Sequence, residues 1–215
     1  MKLSDIVNLK KMTYSDEIPN KHLQRMKQTP SLLNGFEWDM YMGQPPHDND
    51  SSSTMIELKQ LSDLDSNDSF VEEMDNVSKV FKEYVQINGL DYPDNLVEKL
   101  LEDSSIIVTR LKYHYNRPRP SQLAKHPLVN TDIGKSKLMD SMKTPAYPSG
   151  HSTQGILIAM VLSDMYPEHE YNLMSLGEDI SYSRNVARAH YPSDSKFGEK
   201  LGHDMFKYLK KSERL

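Results

Sequence analysis

Past residue 54 the apolar residues of this chain recur with a helical period. Met55, Leu58 and Leu61 are spaced for one face of a short helix. Phe70, Met74, Val77, Phe81 and Tyr84 follow an i, i+4, i+7 pattern, which predicts one helix that Gly89 stops. Val97, Leu100, Leu101, Val108, Leu111 and Tyr115 mark a stripe of a long helix that must end before Pro118. From Ile156 to Leu162 the chain is apolar on every side, as in a helix buried at the centre of a bundle. Leu176, Ile180 and Ala187 share a face of the next helix, and Phe197, Leu201, Met205 and Tyr208 share a face of the last. Lys207, Lys210 and Lys211 at the end of that last helix suit its dipole. Strand-like alternation is nearly absent. The expectation is an all-α fold, a single helical bundle with its working site between helix ends.

Residues 1–54 read differently. Pro19, Pro30, Pro45 and Pro46 punctuate them, and His47–Ser53 is a polar loop. We expect an irregular N-terminal arm packed on a bundle made of residues 55–215, one domain overall. The aspartates of the polar loop lack the glycine and distal glutamate of a calcium loop, so a helix-capping role fits them better. No internal repeat is present.

Composition narrows the classes of function. The 215 residues include no cysteine, which removes disulfides, thiolate metal sites and cysteine nucleophiles. The net charge of -5 and the lack of a basic face argue against duplex nucleic acid as a partner. The longest apolar run, Ile156–Leu162, is far short of the ~20 residues of a membrane span, so no membrane insertion is expected. Met1–Lys11 carries a charge or an amide every few residues and has no apolar stretch like that of a signal peptide, so a cytoplasmic location is expected.

Three polar groups on inward faces need explaining. Lys112 leans toward the core side of the long helix and must either snorkel or meet an anion; Arg119-Pro120 follows it. Pro148-Ser149-Gly150-His151 feeds the apolar helix, where unpaired N–H groups and the positive dipole end could hold an anion, or where Ser149 is simply an N-cap beside a bystander histidine. Ser183-Arg184 precedes His190, two helical turns after Ser183 and on the Leu176/Ile180/Ala187 face, with Asp194 beyond a Tyr191-Pro192-Ser193 break. His190 is either a satisfied core histidine or one whose Nδ1 is held by the Asp194 carboxylate, leaving Nε2 as a nucleophile.

Together Lys112-x6-Arg119-Pro120, Pro148-Ser149-Gly150-His151 and Ser183-Arg184-x5-His190-x3-Asp194 resemble the three-part signature of the type 2 phosphatidic acid phosphatase superfamily. That group holds bacterial non-specific acid phosphatases, membrane lipid phosphatases, glucose-6-phosphatase and vanadium haloperoxidases. The likeness spans residues 112–194, with a weaker extension through Pro45-Pro46 to Glu57-Leu58. Arg117-Pro118 is a second Arg-Pro pair, but only Arg119 sits at the family spacing.

The resemblance implies that His190 attacks phosphorus to form a phosphohistidine, that His151 protonates the leaving alcohol and that Asp194 orients His190. It implies that Lys112, Arg119, Ser149, Gly150 and Arg184 hold the phosphate oxygens. No metal or other cofactor is expected, and vanadate should inhibit as a transition-state mimic. Size and hydropathy favour the soluble acid-phosphatase branch, whose members are typically exported. The expected substrate is a small phosphoester, with nucleotides, sugar phosphates and diphosphates all open; homo-oligomer formation is open too. The alternatives are a vanadate-dependent haloperoxidase-type oxidoreductase and a non-catalytic phosphate-binding module.

Overall fold

A computed structural model describes residues 3–134, 139 and 142–215. Ten α-helices account for most of them: α1 Leu3–Lys11, α2 Asn20–Lys27, α3 Ser52–Asp63, α4 Asp68–Glu73, α5 Val77–Ile87, α6 Asp94–Tyr115, α7 Pro120–Leu123, α8 Gly150–Met165, α9 Glu170–Val186 and α10 Pro192–Lys211. No strand occurs among the described residues, so the fold is all-α. None of these helices is long and apolar enough to cross a membrane.

The apolar-all-round segment is the axis of the bundle. Leu157, Ile158 and Ala159 of α8 are fully buried among Phe81 of α5, Leu100 and Ile107 of α6, Leu173 and Ile180 of α9, and Leu201 and Met205 of α10. A central helix cannot keep a polar face, and from Ile156 to Leu162 this one has none. Contact between α8 and α10 is close enough to require glycine. A Cβ on Gly198 would stand 2.5 Å from the Ser149 carbonyl oxygen, and one on Gly202 would stand 2.4 Å from that of Thr153. This approach brings the first turn of α10 against the N-terminus of α8, where the Ser149 N–H donates to the Asp194 carbonyl at 3.1 Å.

The structure departs from the sequence expectations in three places. The helix expected from Phe70 to Gly89 is two helices, α4 and α5, broken at Met74-Asp75-Asn76. Asn76 caps the second, accepting from the Lys79 N–H at 3.0 Å; a local capping bond outweighs the continuing apolar period. His190 does not lie on the helix of Ser183. α9 ends at Val186, Arg188 turns left-handed at φ 54°, and the Arg188 guanidinium bonds the carbonyls of Leu64, Ile133 and Val186. His190 therefore sits in the turn before Pro192, not two turns along a face. The arm is not irregular throughout, since it carries α1, α2 and a 3-10 turn over Trp38–Gly43.

Partners on α6 hold the arm. The Asp103 carboxylate accepts from the N–H groups of Ser31 at 2.8 Å and Leu33 at 2.9 Å. Leu33, Phe36 and Tyr41 then enter the main core. The polar loop caps its neighbour, as its composition suggests: Ser51 accepts from the Thr54 N–H at 3.2 Å.

Candidate active site

The site gathers where three chain turns meet: the end of α6, the start of α8 and the α9–α10 connection. α6 stops at Asn116, which is left-handed at φ 50° and donates its N–H to the Lys112 carbonyl at 2.8 Å. The two Arg-Pro pairs follow immediately, and extended backbone before each proline throws the arginines inward. A cavity of about 240 Å³ is lined by Lys112, Thr144, Gly150, His151 and His190, together with His22 and the exposed Lys21 and Arg25 of α2.

His190 is buried, and both of its ring nitrogens face partners of fixed role. Arg119 can only donate, so its Nη1, 3.0 Å away, leaves Nε2 as the lone-pair nitrogen. Nδ1 then carries the proton toward Asp194 Oδ2, at 3.4 Å, the outer limit of such a bond. Burial first, and then the charge of Arg119, push the imidazole well below its ordinary pKa, against the pull of Asp194. His190 is neutral at neutral pH. Asp194 is fixed as the third residue of α10, where Oδ2 accepts from the Tyr191 N–H at 3.0 Å. Burial alone would raise its carboxyl, but Arg117 and His190 outweigh it and hold the pKa at about 2.

Behind Asp194 stands a pair the sequence reading set aside. Arg117 binds Asp194 Oδ1 at 2.5 Å and Glu57 Oε2 at 3.1 Å, and its guanidinium stacks 3.8 Å from the Tyr191 ring centroid. Glu57 Oε1 in turn accepts from the Ser193 N–H at 2.6 Å. Glu57, Arg117, Asp194 and His190 form one buried chain of alternating charge. Glu57 occupies the inward face of α3 together with Leu58 and Leu61, and that placement is the sequence signal for it. The duplicated Arg-Pro was the signal for Arg117.

The expected phosphate ligands divide. Lys112 is buried and donates to the carbonyls of Pro145 at 2.6 Å and Ala146 at 3.4 Å. Burial and the charge of Arg119 push its pKa well down, and a bound anion would relieve both. Arg119, held to about 10 by burial, also donates to the carbonyls of Thr144 at 2.8 Å and Ala189 at 2.6 Å, which aims it. Gly150 opens α8 at the cavity wall. Ser149 caps the helix: its hydroxyl accepts from the N–H of Ser152 at 3.3 Å and from the Ser152 hydroxyl at 2.8 Å, the work of an N-cap. The Arg184 guanidinium meets a carboxylate of the protein instead of the cavity, with Nη1 2.6 Å from Asp75 Oδ1.

Asp75 was missed because it lies in the unforeseen break between α4 and α5. Its carbonyl accepts from His151 Nε2 at 2.9 Å, and its carboxylate is 3.4 Å from the same nitrogen. The hydrogen bond to His151, with burial opposing and Arg184 assisting, lowers the Asp75 carboxyl to about 2. His151 itself is lowered, by burial and Arg184 against the support of Asp75. Among the described residues no three His, Asp or Glu side chains converge as a metal-holding set.

Comparison with known proteins gives the arrangement a lineage. The non-specific acid phosphatase of Salmonella typhimurium is 31% identical over 134 residues, 60% of this chain and 52% of that protein. The acid phosphatase of Zymomonas mobilis is 28% identical over 194 residues, 80% of this chain and 69% of that protein. The Providencia stuartii non-specific acid phosphatase is 33% identical over 111 residues, 50% and 43% of the two chains. The chain thus spans about half the length of the Salmonella relative it matches. Residues 101–203, which contain every signature position from Lys112 to Asp194, match the PAP2 superfamily.

Proposed function

We propose that this chain is a phosphatase that hydrolyses small phosphate monoesters without a metal ion, through a phosphohistidine on His190. The observation that carries the reading is the Nε2 lone pair of a buried neutral histidine, 3.0 Å from Arg119, at a cavity shared with Lys112, Gly150 and His151. A nucleophile flanked by fixed cations and a helix N-terminus is complementary to a phosphoryl group whose equatorial oxygens carry charge in the transition state.

In the proposed reaction Nε2 of His190 attacks phosphorus and the P–O bond to the alcohol breaks. The electron pair leaves on that oxygen, which takes a proton from His151. Asp194 holds the Nδ1 proton and offsets the positive charge that develops on the ring. Water then attacks phosphorus, gives its proton to His151 and releases phosphate, which restores both histidines. Arg184 joins the clamp when phosphate replaces the Asp75 carboxylate, and the same replacement takes that carboxylate away from His151 Nε2.

The test has two arms. Hydrolysis of an aryl phosphate should survive excess EDTA and be blocked by vanadate, which adopts the five-coordinate geometry of the transfer. A ³²P label trapped in base should be base-stable and acid-labile, and absent from His190→Ala. Activity lost to EDTA and regained with a divalent metal, or a label that persists in His190→Ala, overturns the reading.

A further inference from the structure

The cavity of about 240 Å³ at His190 shares lining residues with a larger groove of about 950 Å³ beside it. Lys21 and Arg25 line both spaces, so they stand at the boundary between the two. They are one turn apart on α2, on the same face, and both are exposed. Neither has a carboxylate partner among the described residues. Two uncommitted cations beside a site that already takes an anion are what the phosphatase chemistry leaves unexplained.

Their position is built. His22, between them in sequence, turns inward, is buried and bonds the Tyr113 hydroxyl at 2.5 Å. Arg110 donates to the carbonyls of Met26 at 2.9 Å and Gln28 at 2.6 Å, at the end of α2. These bonds lay α2 antiparallel along α6, with its start level with Lys112 and Tyr113 and its end level with Arg110. Burial, and behind it the charges of Lys21, Arg25 and Lys112, lower the pKa of His22, so these three cations act within one field. Farther along the groove the sign reverses. Glu98 and Glu102 line its outer part and are exposed; Glu102 is roughly 15 Å along the helix from Lys112.

We propose that Lys21 and Arg25 form a second anion subsite, and that the preferred substrates are diphosphates whose terminal phosphoryl group is cleaved and whose inner phosphate rests on this pair. The inference rests on the phosphatase reading above and names its substrate class. The terminal phosphoryl group passes to His190, the bridging P–O bond breaks, and the bridging oxygen leaves on the inner phosphate, which Lys21 and Arg25 neutralise. Water then frees the terminal phosphate as before. A third phosphate would run toward Glu98 and Glu102, so chain lengthening past two should bring no gain.

The experiment compares kcat/KM for pyrophosphate, tripolyphosphate and an aryl monophosphate in the wild type, in Lys21→Gln/Arg25→Gln and in the charge-keeping Lys21→Arg/Arg25→Lys. Calorimetric binding of inorganic pyrophosphate and phosphate is measured on the same proteins. We expect pyrophosphate to be favoured over tripolyphosphate. The glutamine variant should lose tenfold or more on pyrophosphate against threefold or less on the aryl ester, and the charge-keeping variant should restore the preference. Equal losses on both substrates, or a wild type indifferent to the second phosphate, overturn the subsite. If no phosphoester is turned over, the phosphatase reading fails. Calorimetry still decides the subsite: tighter binding of pyrophosphate than of phosphate, lost in the glutamine variant, sustains it, and equal binding removes it.

Discussion

Behind His190 every charged partner is buried: Asp194 is 0% exposed, and Arg117 and Glu57 close the chain with 1% and 9% exposed side chains. His151, across the same cavity, leans on Asp75, whose side chain is 46% exposed and sits in a three-residue break between helices. One histidine is held by groups that cannot leave without exposing a charge to an apolar interior. The other is held by the main-chain carbonyl of Asp75 and faces its half-exposed carboxylate, which can exchange its partners for water. A nucleophile needs one orientation throughout, whereas an acid that first binds a protein carboxylate must let go for a substrate to enter. The difference in burial fits the division of labour proposed for the two histidines, and it can be broken from either side.

The largest effect should come from the nucleophile. We predict that His190→Ala loses aryl phosphate turnover by a factor on the order of 10⁴ or more while inorganic phosphate still binds. His151→Ala should cost about 10²–10⁴ on alkyl phosphates but less than about tenfold on an activated aryl phosphate, whose leaving group needs no proton. Equal losses on the two ester types would count against the acid role.

Stability should separate the two regions next. Arg117→Ala strands Glu57 and Asp194 in the interior, and we expect it to cost about 3–5 kcal/mol in urea unfolding. Asp75→Asn removes a half-exposed carboxylate and should stay within about 1 kcal/mol. If both variants unfold at the wild-type midpoint, the buried chain is not what holds the α10 turn in place.

Acid should erode the buried half in two windows. The folded pKa of His190 lies below 6.5, so its contribution is complete above pH 6.5 and is lost as pH falls below that value. Asp194 titrates at about 2 when folded against 3.8 unfolded; its contribution, about 2 kcal/mol, is complete above pH 3.8 and lost toward pH 2. Urea midpoints measured against pH should therefore fall from pH 6.5 downward, with a flatter upper window in His190→Gln. A midpoint that stays level from pH 7 to pH 4 would show that His190 is not perturbed as described, and one that stays level from pH 4 to pH 2 would show the same of Asp194.

Legibility in the sequence follows the same line. The core helices were readable because α8 is apolar on all sides and α6 and α10 keep one apolar face. Lys112, Gly150, His151 and His190 meet at one cavity, and Arg119 and Asp194 support His190 from behind, as the spacing of the three segments suggested. What periodicity could not carry were turns settled by single bonds. The Asn76 cap broke a helix the apolar pattern continued, and so hid Asp75. The left-handed Arg188 ended α9 before His190. Arg117 looked redundant because spacing ranks residues by position in the chain, whereas its partners Glu57 and Asp194 come from α3 and α10. Ser149 caps α8, and because an N-cap and an anion site draw on the same residue types, spacing alone does not separate the two roles.

The smallest effect should sharpen the comparison most, because it concerns the half that can move. Asp75 acts twice: its carboxylate pairs with Arg184, where the proposed mechanism places phosphate, and its contacts support the protonated form of His151. Neutralising it in Asp75→Asn removes a competitor for Arg184, so inorganic phosphate should inhibit a few-fold more tightly. The same change removes charge that favours protonated His151, so that histidine should lose its proton at lower pH. The alkaline limb of kcat/KM reports loss of that proton in the free enzyme, and we predict that it moves toward acid, by less than about one pH unit because the pair is half-exposed and screened. The acid limb belongs to His190 and its buried partners and should stay in place, although a coupled pair titrates as a whole and the limb is read on the variant against the wild type. An acid limb that shifts as far as the alkaline one would mean that the two halves of the site are one electrostatic unit, and the contrast between a fixed nucleophile and a releasable acid would fall.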